Sequence, residues 1–230
     1  MKIGIDVGGT NTDIVLIDDQ NQIAYMKKIQ TSFSVEESIL LGIQLLLQEL
    51  KILPEQISEV SIGTTHALNA LLSGEGLLPT GLIRIASNRP RLSLAAGIPK
   101  RLQEAFIVGG ALISGGFECD GRTLAPFSED ELLLAVDQLL MKNAKGIALV
   151  STFGSLYPEH EIRAEEIIKK YYGSSLFLTK SHIFGGIGFV DRENAALINT
   201  ALFSPITVGF TKLEEALSKL KIAPRSIFLV

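Results

Sequence analysis

Apolar side chains bracket a polar, glycine-rich turn at the start of the chain: Ile3, Ile5 and Val7 lead into it, and Ile14, Val15, Leu16 and Ile17 lead out. Both flanks are rich in β-branched residues, so the pattern predicts a hairpin of strands over about 2–8 and 12–18, with a third strand over about 22–30. The spacing then predicts a helix over about 34–51, which Ser34 can cap with Glu37 as its capping-box partner. VSIG and TGLIRIA read as short strands with a helix from Thr65 to about Ser73 between them, an order that predicts parallel neighbours. Periodicity fades between Ser87 and Phe127. It returns as a helix in SEDELLLAVDQLLMKN, capped at Ser128 with Glu131 as box partner, then a buried strand GIALVS, a helix PEHEIRAEEIIKKYY and a strand SLFLTKS. Two helices follow, over about 190–203 and 206–221, and SIFLV closes the sequence as an apolar strand.

The opening turn carries the chemistry. Gly8 and Gly9 allow positive φ and close backbone approach, so consecutive N–H groups can converge on an anion as a nest, and Thr10, Asn11 and Thr12 add side-chain donors. Asp6 enters the turn and Asp13 leaves it, which suits an anion site only with a cation between them. Mg²⁺ fits, since it binds through one or two carboxylates together with substrate phosphates. A plain glycine hairpin with aspartates as turn formers is the alternative. There is no Walker A lysine and no dinucleotide fingerprint, and a strand rather than a helix follows the turn.

Composition narrows the class. The chain has 230 residues, 47% of them hydrophobic, and a net charge of −4, enough for one large or two small cores and without the basic footprint of a nucleic-acid or anionic-membrane binder. The single Cys119 cannot form an internal disulfide and the N-terminus has no signal-peptide pattern, which predicts a cytoplasmic setting. The apolar run ILLGIQLLL is shorter than a membrane span.

Other candidates are weaker. The helix start after SIGTT offers an anion site, but Thr64 or Thr65 is equally an N-cap. His66, His160 and His182 are scattered without metal-ligand spacing, which argues against zinc. His160, Glu159, Glu161 and Arg163 read as a surface network at a helix start. The glycines of FGGIG serve equally as a lead-in to the next helix, and no Ser-His-Asp or Cys-His arrangement can be proposed.

DVGGTNTD resembles the first phosphate motif of the actin, heat-shock chaperone and sugar-kinase superfamily, and SIGTTHALNALL, GIALVSTFGSLYPEHEIRAEEI and SHIFGGIGFVDRENAALINTALFSP follow in the order of the N-terminal region of the hydantoinase/oxoprolinase family. The resemblance implies an α/β, actin-like ATPase (ribonuclease H-like) fold: a mixed sheet flanked by helices, with an inserted smaller lobe and the second nucleotide lobe missing. Under it the chain divides into a phosphate-binding lobe over 1–88, an irregular insertion or connection over 89–127, a second α/β segment over 128–205 and, over 206–230, the start of a truncated following segment. It implies ATP and Mg²⁺ as cofactors, with Gly8, Gly9, Thr10, Asn11 and Thr12 on phosphate, Asp6 as the catalytic carboxylate and metal ligand, and Asp13 as a second metal ligand. Gly63, Thr64, Thr65 and Asn69 become substrate-binding candidates.

Where the family shows His-Gly-Thr-Thr this chain has Ile62 in the His position, although Asn69 matches, as does Arg192. The implied reaction is ATP-dependent opening of a hydantoin or 5-oxoproline-like cyclic amide. The partner would be the C-terminal part of the same protein or another hydantoinase subunit, in a possible oligomer, with no nucleic acid or membrane. A ROK-like sugar kinase and a non-catalytic interaction or regulatory domain are the alternatives.

Overall fold

The structure is a computed structural model describing residues 1–8, 10–31, 35–87, 92–224 and 226–229, with side chains described for these except 35, 36, 64, 66 and 229. The strands are β1 (Lys2–Val7), β2 (Asn11–Ile17), β3 (Ile23–Gln30), β4 (Glu59–Thr64), β5 (Thr80–Ala86), β6 (Ile107–Ser114), β7 (Gly146–Ser151), β8 (Phe177–Lys180) and β9 (Ser226–Leu229). The helices are α1 (Val35–Leu50), α2 (His66–Ser73), α3 (Lys100–Phe106), α4 (Glu129–Met141), α5 (Glu159–Tyr172) and α6 (Phe189–Lys219). They form two compact units, Met1–Asn69 with Pro205–Val230, and Ala70–Ser204.

The first unit holds a mixed sheet in the order β3-β2-β1-β4-β9. β1 to β3 pair antiparallel, whereas β4 lies parallel to β1 and β9 parallel to β4. Alternation sends Ile3, Ile5, Val7, Ile14 and Leu16 to one face, where Ile39, Ile43 and Leu46 of α1 and Leu213 and Leu217 of α6 cover them. The other face carries Asp6 and Asp13. Ser34, the expected cap of α1, lies outside the described residues.

The second unit holds a parallel sheet in the order β6-β5-β7-β8. β5 and β7 are buried on both faces: Ile83, Ile85, Ile147 and Leu149 join a core with α4 and α5, while Leu82, Ala148 and Val150 join another with Phe106 of α3 and Ala196, Leu197 and Ala201 of α6. Near-continuous apolar runs are what a doubly covered parallel sheet requires.

Four expectations are corrected. The strand–helix–strand of β4, α2 and β5 does not make sheet neighbours, because β4 pairs with β1 and β9 while β5 starts the second sheet. The stretch expected to be irregular contains α3 and β6; IVGGALIS hides its strand character behind two glycines. α6 runs through Pro205 rather than breaking there. Proline lacks the N–H that would bond the carbonyl four residues back, and that carbonyl, of Ala201, instead accepts from Leu78 N–H at 2.8 Å. At α4, Ser128 caps by accepting from Glu131 N–H, but the Glu131 carboxylate takes Ser114 N–H and Oγ–H at 2.6 and 3.0 Å, so the reciprocal half of the box is spent on β6.

Candidate functional site

A single row of register-paired residues crosses the open face of the first sheet: Lys28, Asp13, Asp6 and Gly63, on β3, β2, β1 and β4. Two carboxylates directly opposite each other on antiparallel strands repel. Within the row the two carboxylates have different neighbours. Asp13 pairs with Lys28 at 3.2 Å, and Asp6 leans over Gly63, where an added Cβ would lie 2.9 Å from its Oδ1. Gly63 is thus the position whose missing side chain makes room for the Asp6 carboxylate. Asp6 is exposed and enters no ion pair among the described residues.

The turn above this row is held from inside. Gly8 N–H donates to Asn11 O at 3.0 Å, and Thr31 N–H donates to Thr10 O at 3.0 Å. Thr31 Oγ1–H is given to Gly8 O at 2.8 Å, so the contact of Thr31 Oγ1 with Thr12 Oγ1, at 3.1 Å, is donated by Thr12. Thr12 is fully buried and its proton is used. The expected phosphate donors therefore separate into two sets. Thr12 supports the turn, and Gly8 neither takes a positive φ nor offers a free N–H. Thr10 and Asn11 are exposed, with Asn11 Nδ2 donating to Thr10 Oγ1 at 3.3 Å, and among the described residues the Thr10 hydroxyl proton and the second Asn11 amide proton have no acceptor. Gly9 lies outside the described residues.

β4 ends beside β1, in register Val7↔Thr64, so both segments singled out in the sequence reach the same end of the sheet. Thr65 and Asn69 are exposed at the start of α2, where Asn69 N–H donates to Thr65 O at 2.8 Å and Asn69 Nδ2 to Thr65 Oγ1 at 3.3 Å. The side chains of Thr64 and His66 are outside the described set.

The second unit corrects the reading of its helix start. Glu161 is not on the surface; it is fully buried at the end of β7, accepting from Ser151 N–H, Ser181 Oγ–H and His182 N–H at 2.8, 2.6 and 2.9 Å. Arg192 is buried beside it and donates to Ser181 Oγ and to Ser151 O. Next along α6, Glu193 makes a buried pair with Arg84, Nε to Oε2 at 2.5 Å and Nη2 to Oε1 at 2.7 Å. Sequence reasoning marked Arg192 but passed over Glu193 and Arg84, the latter signalled only as a charged residue within otherwise apolar TGLIRIA. His160 accepts Gly116 N–H at Nδ1, at 2.8 Å, between the rings of Phe117 and Phe127, and burial, then the Arg163 charge, lowers its pKa.

Residues 2–172 match the family model of the hydantoinase/oxoprolinase N-terminal region. The chain belongs to that family. Over 238 residues it is 25% identical to caprolactamase subunit alpha of Pseudomonas jessenii, covering 94% of this chain and 33% of that protein. It is 26% identical over 231 residues to the acetophenone carboxylase gamma subunit of Aromatoleum aromaticum, covering 87% of this chain and 31% of that one. Among solved structures, nucleotide-free acetone carboxylase superposes with a TM-score of 0.74 at 18% identity, covering 96% of this chain and 34% of that chain, which establishes the actin-like ATPase fold. The chain spans about a third of the length of these curated relatives. No helix among the described residues is long and apolar enough to cross a membrane.

Proposed function

We propose that this chain supplies the first phosphate-binding loop of an ATP-dependent enzyme that activates a carbonyl group, with a cyclic amide as substrate. The observation that carries the reading is Asp6: an exposed carboxylate with no cation beside it among the described residues, given its space by Gly63, next to a turn where Thr10 and Asn11 are exposed donors. The family match and the names of the relatives, one a caprolactamase and another an acetophenone carboxylase, support carbonyl chemistry on a small molecule. The solved acetone carboxylase is described as ATP-dependent. The same family match weighs against the ROK-like kinase alternative.

Mg²⁺ fits Asp6 better than it fits Asp13, whose carboxylate is already on Lys28. No group of three or more His, Cys, Asp or Glu gathers for a metal among the described residues, which suits an ion held by one carboxylate, waters and phosphates. When bound, it would neutralise charge on the phosphates. Thr10 and Asn11 would hold and orient a phosphate through their free protons, and Thr31 with Thr12 would keep the turn in place. An unstrained amide carbonyl is a poor electrophile; phosphorylating its oxygen creates a leaving group, and that transfer needs mainly positioning and charge neutralisation. The relatives are named as subunits, and a further part of the same protein or another subunit would complete the site.

The test is turnover of Mg·ATP with hydantoin, 5-oxoproline or caprolactam by the full-length protein. Ring opening coupled to ATP cleavage supports the reading; ring opening independent of ATP contradicts it.

A further inference from the structure

The carboxyl ends of β7 and β8 carry a second constellation that the phosphate loop does not use. Glu161, fully buried, accepts from three fixed donors, Ser151 N–H and Ser181 Oγ–H on Oε1 and His182 N–H on Oε2, and His182 Nδ1 lies 2.8 Å from Oε2. An ionised carboxylate offers about four lone-pair sites. Three of them are taken, Arg192 Nη1 lies 3.6 Å from Oε1, and the fourth faces His182 Nδ1. That fourth site calls for a donor, so the ring proton belongs on Nδ1 and Nε2 keeps a free lone pair. The His182 side chain is 19% exposed, so that lone pair sits at the rim of a buried network rather than inside it.

The neighbourhood is built for this arrangement. An added Cβ at Gly154 would fall 2.6 Å from Glu161 Oε1, so the backbone after β7 closes directly on the carboxylate. Arg192 Nε is buried with no hydrogen-bond partner, a donor left for an oxygen that the protein does not supply. Ligands of parallel α/β sheets bind outside the carboxyl ends of the strands. His160 provides the contrast: its Nδ1 accepts Gly116 N–H, so its ring proton is on Nε2 and its lone pair is spent on structure.

We propose that His182 is the base of a proton-transfer site at this end of the second sheet, acting on water or the hydroxyl of a small neutral ligand. The O–H bond breaks, Nε2–H forms and the electron pair stays on oxygen. The resulting imidazolium keeps Nδ1–H on Glu161, a positioning residue that fixes the tautomer. The geometry of the assignment stands apart from the phosphate-loop reading, whereas the turnover arm of its test rests on the proposed function.

Three measurements on the full-length protein decide it. Diethyl pyrocarbonate acylates an imidazole nitrogen through its lone pair; at pH 7.5, mass mapping should show His182 modified at least ten times faster than His160, and ring ¹⁵N shifts should show Nδ1–H at His182 and Nε2–H at His160. Equal or slower modification of His182, or the Nε2–H tautomer there, overturns the proposal. His182→Asn keeps a donor for Glu161 but lacks the Nε2 lone pair. Where the unaltered protein turns over cyclic amide with ATP, this variant should fold normally and lose about 100-fold or more in kcat, and an unchanged kcat overturns the proposal. Absence of turnover in the unaltered protein counts against the proposed function alone, and the acylation and tautomer results then decide.

Discussion

Asp6 and Gly63 face each other across β1 and β4, and the Asp6 carboxylate occupies the space that any side chain at position 63 would need. Gly63→Ala should therefore act on Asp6 rather than on the fold. The displaced carboxylate is exposed and can swing away, so thermal stability should change little. A misplacement of about 1 Å in a catalytic group can cost roughly 100-fold in rate, and ATP-dependent turnover should fall by about 10- to 100-fold by the same argument. Melting temperature and turnover measured side by side check the separation.

Thr31 and Thr12 make a graded pair. Thr31→Val removes the donor to Gly8 O and the acceptor for Thr12, whereas Thr12→Val leaves the Thr31 to Gly8 bond intact. Each lost bond costs about 0.5–1.5 kcal/mol, so Thr31→Val should be the more destabilising in urea unfolding. A Thr12→Val variant that loses nucleotide binding without losing stability would return Thr12 to the phosphate.

Much of this was legible in the sequence because local rules and tertiary outcome agree. Ile3, Ile5 and Val7 with Ile14 and Leu16 follow the period-two rule and become one face of the first sheet. The turn DVGGTNTD identified the loop, but it could not say that Thr12 points inward, since that depends on Thr31 arriving from β3. The pairing of Asp13 with Lys28 is likewise a matter of register between strands. Glu161 was misread because helix starts usually place acidic residues in solvent; its burial comes from Ser151, Ser181 and Arg192, distant in sequence. Pro205 looked like a helix end because its effect is local, and only Leu78 reveals how the freed carbonyl is satisfied.

Arg84 and Glu193 are both buried, and their pair is completed by Leu92 O and Ser93 O on the guanidinium and Ala95 N–H on the carboxylate. Removing one partner leaves a buried charge uncompensated, at about 3–5 kcal/mol. Arg84→Met and Glu193→Leu should each be severely destabilising, and the double variant should cost less than the sum of the two single variants. Denaturant unfolding of all three variants measures the coupling.

His160 gives the fold a pH dependence. Its folded pKa lies below the ordinary value of about 6.5, so the unfolded chain binds the proton more readily. The contribution is fully present above about pH 6.5 and is lost as pH falls toward the folded pKa. His160→Asn keeps an acceptor for Gly116 N–H without titrating, and should flatten the stability slope below about pH 6.5.

The most direct test of the phosphate-loop assignment compares Asp6→Asn with Asp19→Asn in the full-length protein. Asp19 is highly exposed and, among the described residues, pairs with the amino terminus alone, at 3.0 Å, a surface contact worth about 0–1 kcal/mol. Asp6→Asn keeps shape but removes the charge that would hold the metal-nucleotide complex, and a charge-assisted contact is worth about 1.5–3 kcal/mol. Mg·ATP-dependent turnover of cyclic amide should then drop at least about tenfold in Asp6→Asn and stay near the unaltered level in Asp19→Asn. Equal turnover in the two variants would contradict the assignment of the DVGGTNTD turn.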